Sequence, residues 1–377
     1  MALIKPKFIA IDSSVLGKWA ADAHSDDSHT RKMAGNVLDQ ILLENWVPVI
    51  SWHHIEELIR HPDEAIVEDR MKFLFALPHV AWIWAANGSD LIGSVVDVEA
   101  AEIQVHLSAK YDSVKKRCLA TRDRLLRFGK LSEIPTIRLW RYLRPVAIYM
   151  GKNQQKIASI RHSKSNVNDN TPLSTLKGKK PLSYEEAKQA CQEEATKITQ
   201  ELIDRGDKRL SEHKAVAQDF SDKIFSLIAG KSKDGKSVFE TFFEQFGYKP
   251  NEFPEDVTIG EFKYAADRRK KLGIAIQLLG LEIESVWPKL ENYRLPSEEV
   301  ISAIHNSRKN AIRASGSDLN DDYLASLMPY LDAVVVDRRT YEYLMQAKKR
   351  NPRISTLIGS MVKVSSYNQL PSVLNGS

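Results

Sequence analysis

Phe8-Ile-Ala-Ile-Asp12-Ser-Ser14 near one end of the chain and Asp332-Ala-Val-Val-Val-Asp337 near the other decide the fold. Each is a short apolar run that stops at an aspartate. A continuous apolar run of this kind reads as a strand buried on both faces, the habit of parallel sheets covered by helices. The neighbouring segments agree. Met33, Val37, Leu38, Ile41 and Leu42 form a helical stripe within 31–46. Val47-Pro-Val-Ile50 is a second strand, and Ser51 caps a helix over 52–60 that stops near Pro62. Residues 73–77 end another helix, and 80–84 reads as extended. The order β-α-β-α calls for a parallel sheet with crossover helices.

The same signal returns after residue 296. Pro296-Ser-Glu-Glu299 opens a helix that Gly316 ends, 318–330 is helical, and 340–349 is a helix. Met361-Val-Lys-Val-Ser365 is the last strand. Neither part has enough strands to bury a core alone. The expectation is therefore one α/β domain assembled from 1–85 and 297–377, interrupted by an all-helical insertion at 86–296. Within the insertion, 90–150 reads as one or two long basic helices and 151–180 as a loop or linker. Ser183-Tyr-Glu-Glu186 and Thr258-Ile-Gly-Glu261 carry the capping-box spacing.

The chain has 377 residues, a formal net charge of +5 and two cysteines, Cys118 and Cys191. That is the length of two or three domains, with the thiols expected free in a reducing cytoplasm. No run approaches the roughly 18 apolar residues of a membrane span, and no secretory leader is visible. The modest net charge hides an asymmetry. Residues 1–109 hold eight Lys and Arg against sixteen Asp and Glu, whereas 110–180 hold eighteen against four. Aromatic residues are interleaved with this basic block, at Phe128, Trp140, Tyr142 and Tyr149. The pattern points to a polyanion partner, with Lys115, Lys116, Arg117, Arg138, Arg141 and Arg144 as candidate nucleic-acid contacts. Pro145 is expected to end or kink the helix that carries the last three.

Several chemistries lose support. There is no Cys/His quartet, no His-Glu-x-x-His, no Gly-x-x-x-x-Gly-Lys loop, no Gly-x-Gly-x-x-Gly after a strand and no Gly-x-Ser-x-Gly elbow. The acids carry the signal instead. Ligand sites in open parallel sheets lie at the C-terminal strand ends, where Asp12 and Asp337 fall. The second strand leads into Glu56 and Glu57, and Asp318, Asp321 and Asp322 open the helix before the last-but-one strand. Carboxylates gathered this way repel one another, and Mg²⁺ or Mn²⁺ would offset the repulsion.

This arrangement resembles the PIN-domain nucleases. The matching pieces are Phe8-Ile-Ala-Ile-Asp12-Ser-Ser-Val-Leu16, Ile55-Glu-Glu57-Leu58, Gly316-Ser-Asp318-Leu-Asn-Asp321-Asp322-Tyr-Leu324 and Leu331-Asp-Ala-Val-Val-Val-Asp337-Arg338. The resemblance assigns the first acid to Asp12, the second to Glu57 and the fourth to Asp337. The third is Asp321 by spacing, with Asp318 one turn earlier and Asp322 beside it. Two departures stand out: Val336 takes the place where the family often has Thr, and the insertion has no counterpart. The resemblance implies a metal-dependent endonuclease acting on single-stranded or structured RNA and leaving 5′-phosphate and 3′-hydroxyl ends. It would serve as a toxin, a defence effector or a processing enzyme, with an inhibitor protein or a second copy as a further partner. A catalytically silent module that binds nucleic acid or protein, and a DNA endonuclease, are the alternatives.

The third acid can be tested directly. If Asp321 is the ligand and Asp318 a helix cap, Asp318→Ser keeps most metal-dependent cleavage, since serine also caps, and Asp321→Ser abolishes it. The opposite result in a cleavage assay would move the assignment by one helical turn.

Overall fold

Alternation along the strands sets how they are buried. The computed structural model describes residues 5–162, 170–176, 183–229, 240, 243–244, 246–249, 252–254, 256–308 and 317–375. The strands are β1 (Lys7–Ile11), β2 (Trp46–Ile50), β3 (Val80–Ile83), β4 (Leu126–Gly129), β5 (Ala333–Val336) and β6 (Ser360–Lys363). They form one sheet in the order β4-β3-β2-β1-β5-β6, parallel throughout except for the antiparallel β3–β4 pair. Successive side chains of a strand point to opposite faces. Ile9, Ile11, Ala333 and Val335 thus enter one core with Trp19, Ile41, Met71 and Tyr367. Ala10, Val334 and Val336 enter the other with Val98, Ile304, Met328 and Leu344. Both faces are covered, as the continuous apolar runs require.

The chain divides into two compact units. The sheet unit comprises Met1–Lys152, Ile274–Asn310 and Leu319–Ser377, so it takes in far more than 1–85 and 297–377. The stretch expected to be wholly helical contributes β4, in register with β3 from Val80↔Gly129 to Ile83↔Leu126. Four residues are too few to stand out from the basic helical pattern around them. A buried network ties the same stretch to the C-terminal part: the Ser297 N–H and hydroxyl donate to Glu102 at 2.8 and 2.5 Å, and the Tyr330 hydroxyl donates to the same carboxylate. Burial pushes the Glu102 carboxyl up to about 8, against the lowering effect of these bonds.

The second unit, Asn153–Gly273 with Ala311–Asp318, has its own small cores. Ile198 and Leu202 of the helix Tyr184–Arg205 pack with Val216 and Ala217 of the helix His213–Ala229. Phe243, Tyr248 and Phe262 form a separate aromatic cluster with Phe253. Both capping boxes form: the Ser183 N–H donates to Glu186 at 2.8 Å and the Thr258 N–H to Glu261 at 2.9 Å.

Two local expectations are corrected. Pro145 lies inside a continuous helix, Trp140–His162; it is the sixth residue, so only one intrahelical bond near the start is lost. That helix also occupies the first part of the expected linker, while 163–169, 177–180 and Gly316 lie outside the described residues. Asp332, quoted in the resemblance, stands at the opposite end of β5 from Asp337. It stitches three strands: its Oδ2 accepts from the Phe8 N–H at 2.8 Å, its N–H donates to Phe8 O at 3.0 Å and its O accepts from Ser360 at 3.2 Å. Arg122 approaches its Oδ1 at 3.5 Å. Asp332→Ala leaves a strand N–H unpaired and should destabilise the chain by about 1–3 kcal/mol in urea unfolding. Asp332→Asn, which keeps an acceptor, should recover most of this. Equal stability of all three would contradict the stitching role.

Candidate carboxylate site

Parallel pairing of β1 with β5 puts Asp12 and Asp337 at the same sheet edge, the C-terminal one. Asp12 donates its N–H to Val335 O at 3.2 Å. Its Oδ1 accepts from the Ser14 N–H at 2.8 Å and from the Ser14 hydroxyl, capping the helix Ser13–Ala23. Asp337 does the same for the helix Arg338–Arg350, its Oδ1 accepting from the Thr340 N–H at 2.6 Å. Each aspartate therefore has one oxygen held by its own helix and the second, Oδ2, without a hydrogen bond among the described residues. Capping fixes the rotamer and leaves an oxygen to spare.

The third carboxylate comes from the helix Ser317–Ala325. Asp321 is buried, and its carboxyl is pushed up to about 8, first by burial and then by the charge of Asp337, with Asp12 adding to it. Arg308 and Arg339 pull the other way, their Nη2 atoms at 3.9 and 3.5 Å from Asp321 Oδ2. The two guanidinium groups do not offset the burial and the neighbouring carboxylates. Asp12, Asp321 and Asp337 thus act on one another as like charges that Arg308 and Arg339 offset only in part. Beside them, Asp322 binds Arg308 Nη1 at 2.6 Å and His305 Nε2 at 2.7 Å. Asp318 is buried in the first turn of the same helix.

Glu57 is engaged by a residue one turn along the chain. It pairs with Arg60 at 2.9 Å. Glu56, fully buried, faces His53 Nδ1 at 3.7 Å, and the His53 ring stacks on Tyr323 at 3.8 Å. The helix Trp52–Ile59 that carries both glutamates is latched to β1 by His54. That buried imidazole lies 3.1 Å from Ile11 O through Nε2 and accepts from the Ser51 N–H through Nδ1. Burial, with the neighbouring His53, lowers it to about 4, so it is neutral and keeps both contacts. His54, Arg308, Arg339 and His305 were not legible as site residues. Arg339, two residues past Asp337, carried the one usable signal.

Comparison with protein-family models, with curated proteins and with solved structures finds no match to this chain.

Among the described residues, no three His, Cys, Asp or Glu side chains stand close enough together to hold a metal ion. The donor set nevertheless fits a small hard cation. Mg²⁺ keeps most of its waters and is usually held by one or two carboxylates together with substrate phosphate, and Asp12 and Asp337 each offer one such oxygen. Asp321 adds an under-neutralised carboxyl beside them. Next to it, the Asn320 side-chain oxygen and nitrogen are buried without hydrogen-bond partners among the described residues, as is the Thr340 hydroxyl next to Asp337. Buried polar atoms of this kind call for a ligand or water.

The basic candidates are largely engaged within the chain. Arg138 Nε donates to Ser132 O at 2.6 Å. Arg141 approaches Glu68 at 3.3 Å and lies over the Trp140 ring. Arg144 donates to His61 O and Pro62 O at 2.9 and 2.7 Å. Arg141 and Arg144 fasten the helix Trp140–His162 to the segment 61–68. Lys115 is exposed, Lys116 pairs with Asp112 at 3.0 Å, and Arg117 lies over Tyr293.

The raised Asp321 carboxyl has a consequence for stability. A carboxyl that titrates at 3.8 when free and near 8 when folded takes up a proton on folding between those values. Its contribution is complete below about pH 4 and is lost as pH rises toward 8. Without divalent cations, thermal unfolding of the wild type should therefore fall by several degrees across this range relative to Asp321→Asn, with the variant the more stable above pH 8. Parallel curves would contradict the assignment.

Proposed function

We propose that the chain is a cation-dependent phosphodiesterase of PIN-like type, most simply an endoribonuclease acting in the cytoplasm. The observation that carries this reading is the meeting of Asp12, Asp321 and Asp337, from three distant stretches, at the C-terminal edge of the parallel strands. Asp12 and Asp337 would hold Mg²⁺ or Mn²⁺ through their spare oxygens, with Asp321 as the third carboxylate. When bound, such a cation supplies Lewis acidity, making water more acidic and offsetting phosphate charge. The protein's own groups do the rest. The helix caps keep Asp12 and Asp337 in fixed rotamers, so little reorganisation is needed when substrate arrives. Arg339, half-exposed beside Asp321, is placed to meet a phosphate oxygen, and Arg308 fixes Asp322 and the helix Ser317–Ala325. With water rather than a ribose hydroxyl as nucleophile, the products are a 5′-phosphate and a 3′-hydroxyl. Glu57, held by Arg60, has a supporting part in this reading.

The contacts of Arg308 and Arg339 to the acids favour a second reading, in which the cluster is internally paired and the chain binds nucleic acid or a protein partner without cleaving it. Cleavage of labelled single-stranded RNA, tRNA and DNA in Mg²⁺ or Mn²⁺ separates the two. The expected result is cleavage of RNA, lost by orders of magnitude in Asp12→Asn and Asp337→Asn while circular dichroism is unchanged. Absence of metal-dependent cleavage of any of these by the wild type, or full activity in either variant, would overturn the enzymatic reading.

A further inference from the structure

A second charged feature lies in the sheet unit, among residues that the carboxylate cluster does not use. A cleft of about 420 Å³ opens between the start of the helix Val114–Leu125, residues 292–299 and the start of the helix Pro352–Leu357. Three arginines, Arg117, Arg294 and Arg353, line it with one acid, Glu299, and Tyr293. Glu299 is buried and binds Arg353 Nη2 at 2.5 Å. Arg294 also acts on the Glu299 charge. The positive charge of the lining therefore exceeds the negative by two. Arg117 is held in place by the Tyr293 ring, 5.6 Å from its guanidinium carbon, and that ring is backed by His106 at 3.8 Å. Arg117 Nε is buried with no hydrogen-bond partner among the described residues.

We infer that this cleft binds the phosphate of a phosphomonoester. Guanidinium groups present paired N–H donors that match phosphate oxygens, and an excess of two positive charges matches the dianion. Glu299 orients Arg353 while leaving its outer face, about half exposed, toward the opening. Tyr293 is already engaged by Arg117 and by the stacked His106 ring, so recognition rests on the phosphate rather than on stacking of a base. The phosphate can belong to a free nucleotide or to the 5′ end of a strand.

The test is calorimetric titration of the whole chain in buffer free of divalent cations, which keeps the result independent of the carboxylate site. Inorganic phosphate, a nucleoside 5′-monophosphate and the unphosphorylated nucleoside are the probes. Binding of the first two and not the third is expected. Arg117→Gln should weaken phosphate by about tenfold, the loss of a hydrogen bond to a charged group. Glu299→Gln, which removes the opposing charge, should tighten it, a gain that misfolding could not produce. Comparing 5′-phosphorylated with 5′-hydroxyl oligonucleotide identifies the source: a preference for the phosphorylated strand over the mononucleotide assigns a strand end, the reverse a free nucleotide. No saturable binding of phosphate at millimolar concentration, or an affinity unchanged in both variants, would overturn the proposal.

Discussion

The pairing of β1 with β5 is the contact on which the rest of the sheet unit depends. Ile9, Ala10 and Ile11 lie against Ala333, Val334 and Val335, joining segments from opposite ends of the chain in the middle of the sheet. A parallel pair has no hairpin to set its register, so both ends are fastened by hydrogen bonds: Asp332 to the Phe8 N–H at one end, the Asp12 N–H to Val335 O at the other. The alternating side chains then fill two cores with one pairing. Because the strands run the same way, their following residues, Asp12 and Asp337, emerge together. The site is a consequence of the register.

Gathering carboxylates at that edge opposes folding. Asp321 is buried beside two like charges, and burial with those charges pushes its carboxyl up to about 8 although Arg308 and Arg339 pull it down. A proton restores the balance at low pH and a cation can do so at neutral pH. Natural proteins retain such groups where function needs them, at some loss of stability. The surrounding contacts limit that loss by rigidity: each strand-end aspartate caps a helix, and neutral His54 ties the helix bearing Glu56 and Glu57 to the end of β1. The helix Ser317–Ala325 is held through Asp322 by Arg308 and His305.

Much of this was legible in the sequence because the signals were local. Four-residue apolar runs ending at aspartate, serine and threonine caps with a glutamate three residues on, and the return of the pattern after residue 296 all rest on neighbouring residues. What escaped depends on distant partners. The strand Leu126–Gly129 is an edge strand with two exposed residues, and only β3 makes it a strand. Arg141 and Arg144 read as part of a phosphate-binding face because their partners, Glu64, Glu68 and the carbonyls of His61 and Pro62, lie some seventy to eighty residues earlier, while Arg138 is taken up by Ser132 O. Glu57 matched by spacing, yet Arg60 one turn along holds it.

The proposed function needs Asp12, Asp321 and Asp337 to act as one carboxylate cluster that a cation can neutralise. Carbon-13 NMR of the aspartate carboxyl groups, titrated against pH with and without Mg²⁺ and assigned through Asp321→Asn, reads this most directly. Asp321 is expected to titrate near pH 8 without the cation and several pH units lower with it, since a bound cation favours the ionised form. An Asp321 carboxyl that titrates near 4 and ignores Mg²⁺ would contradict it.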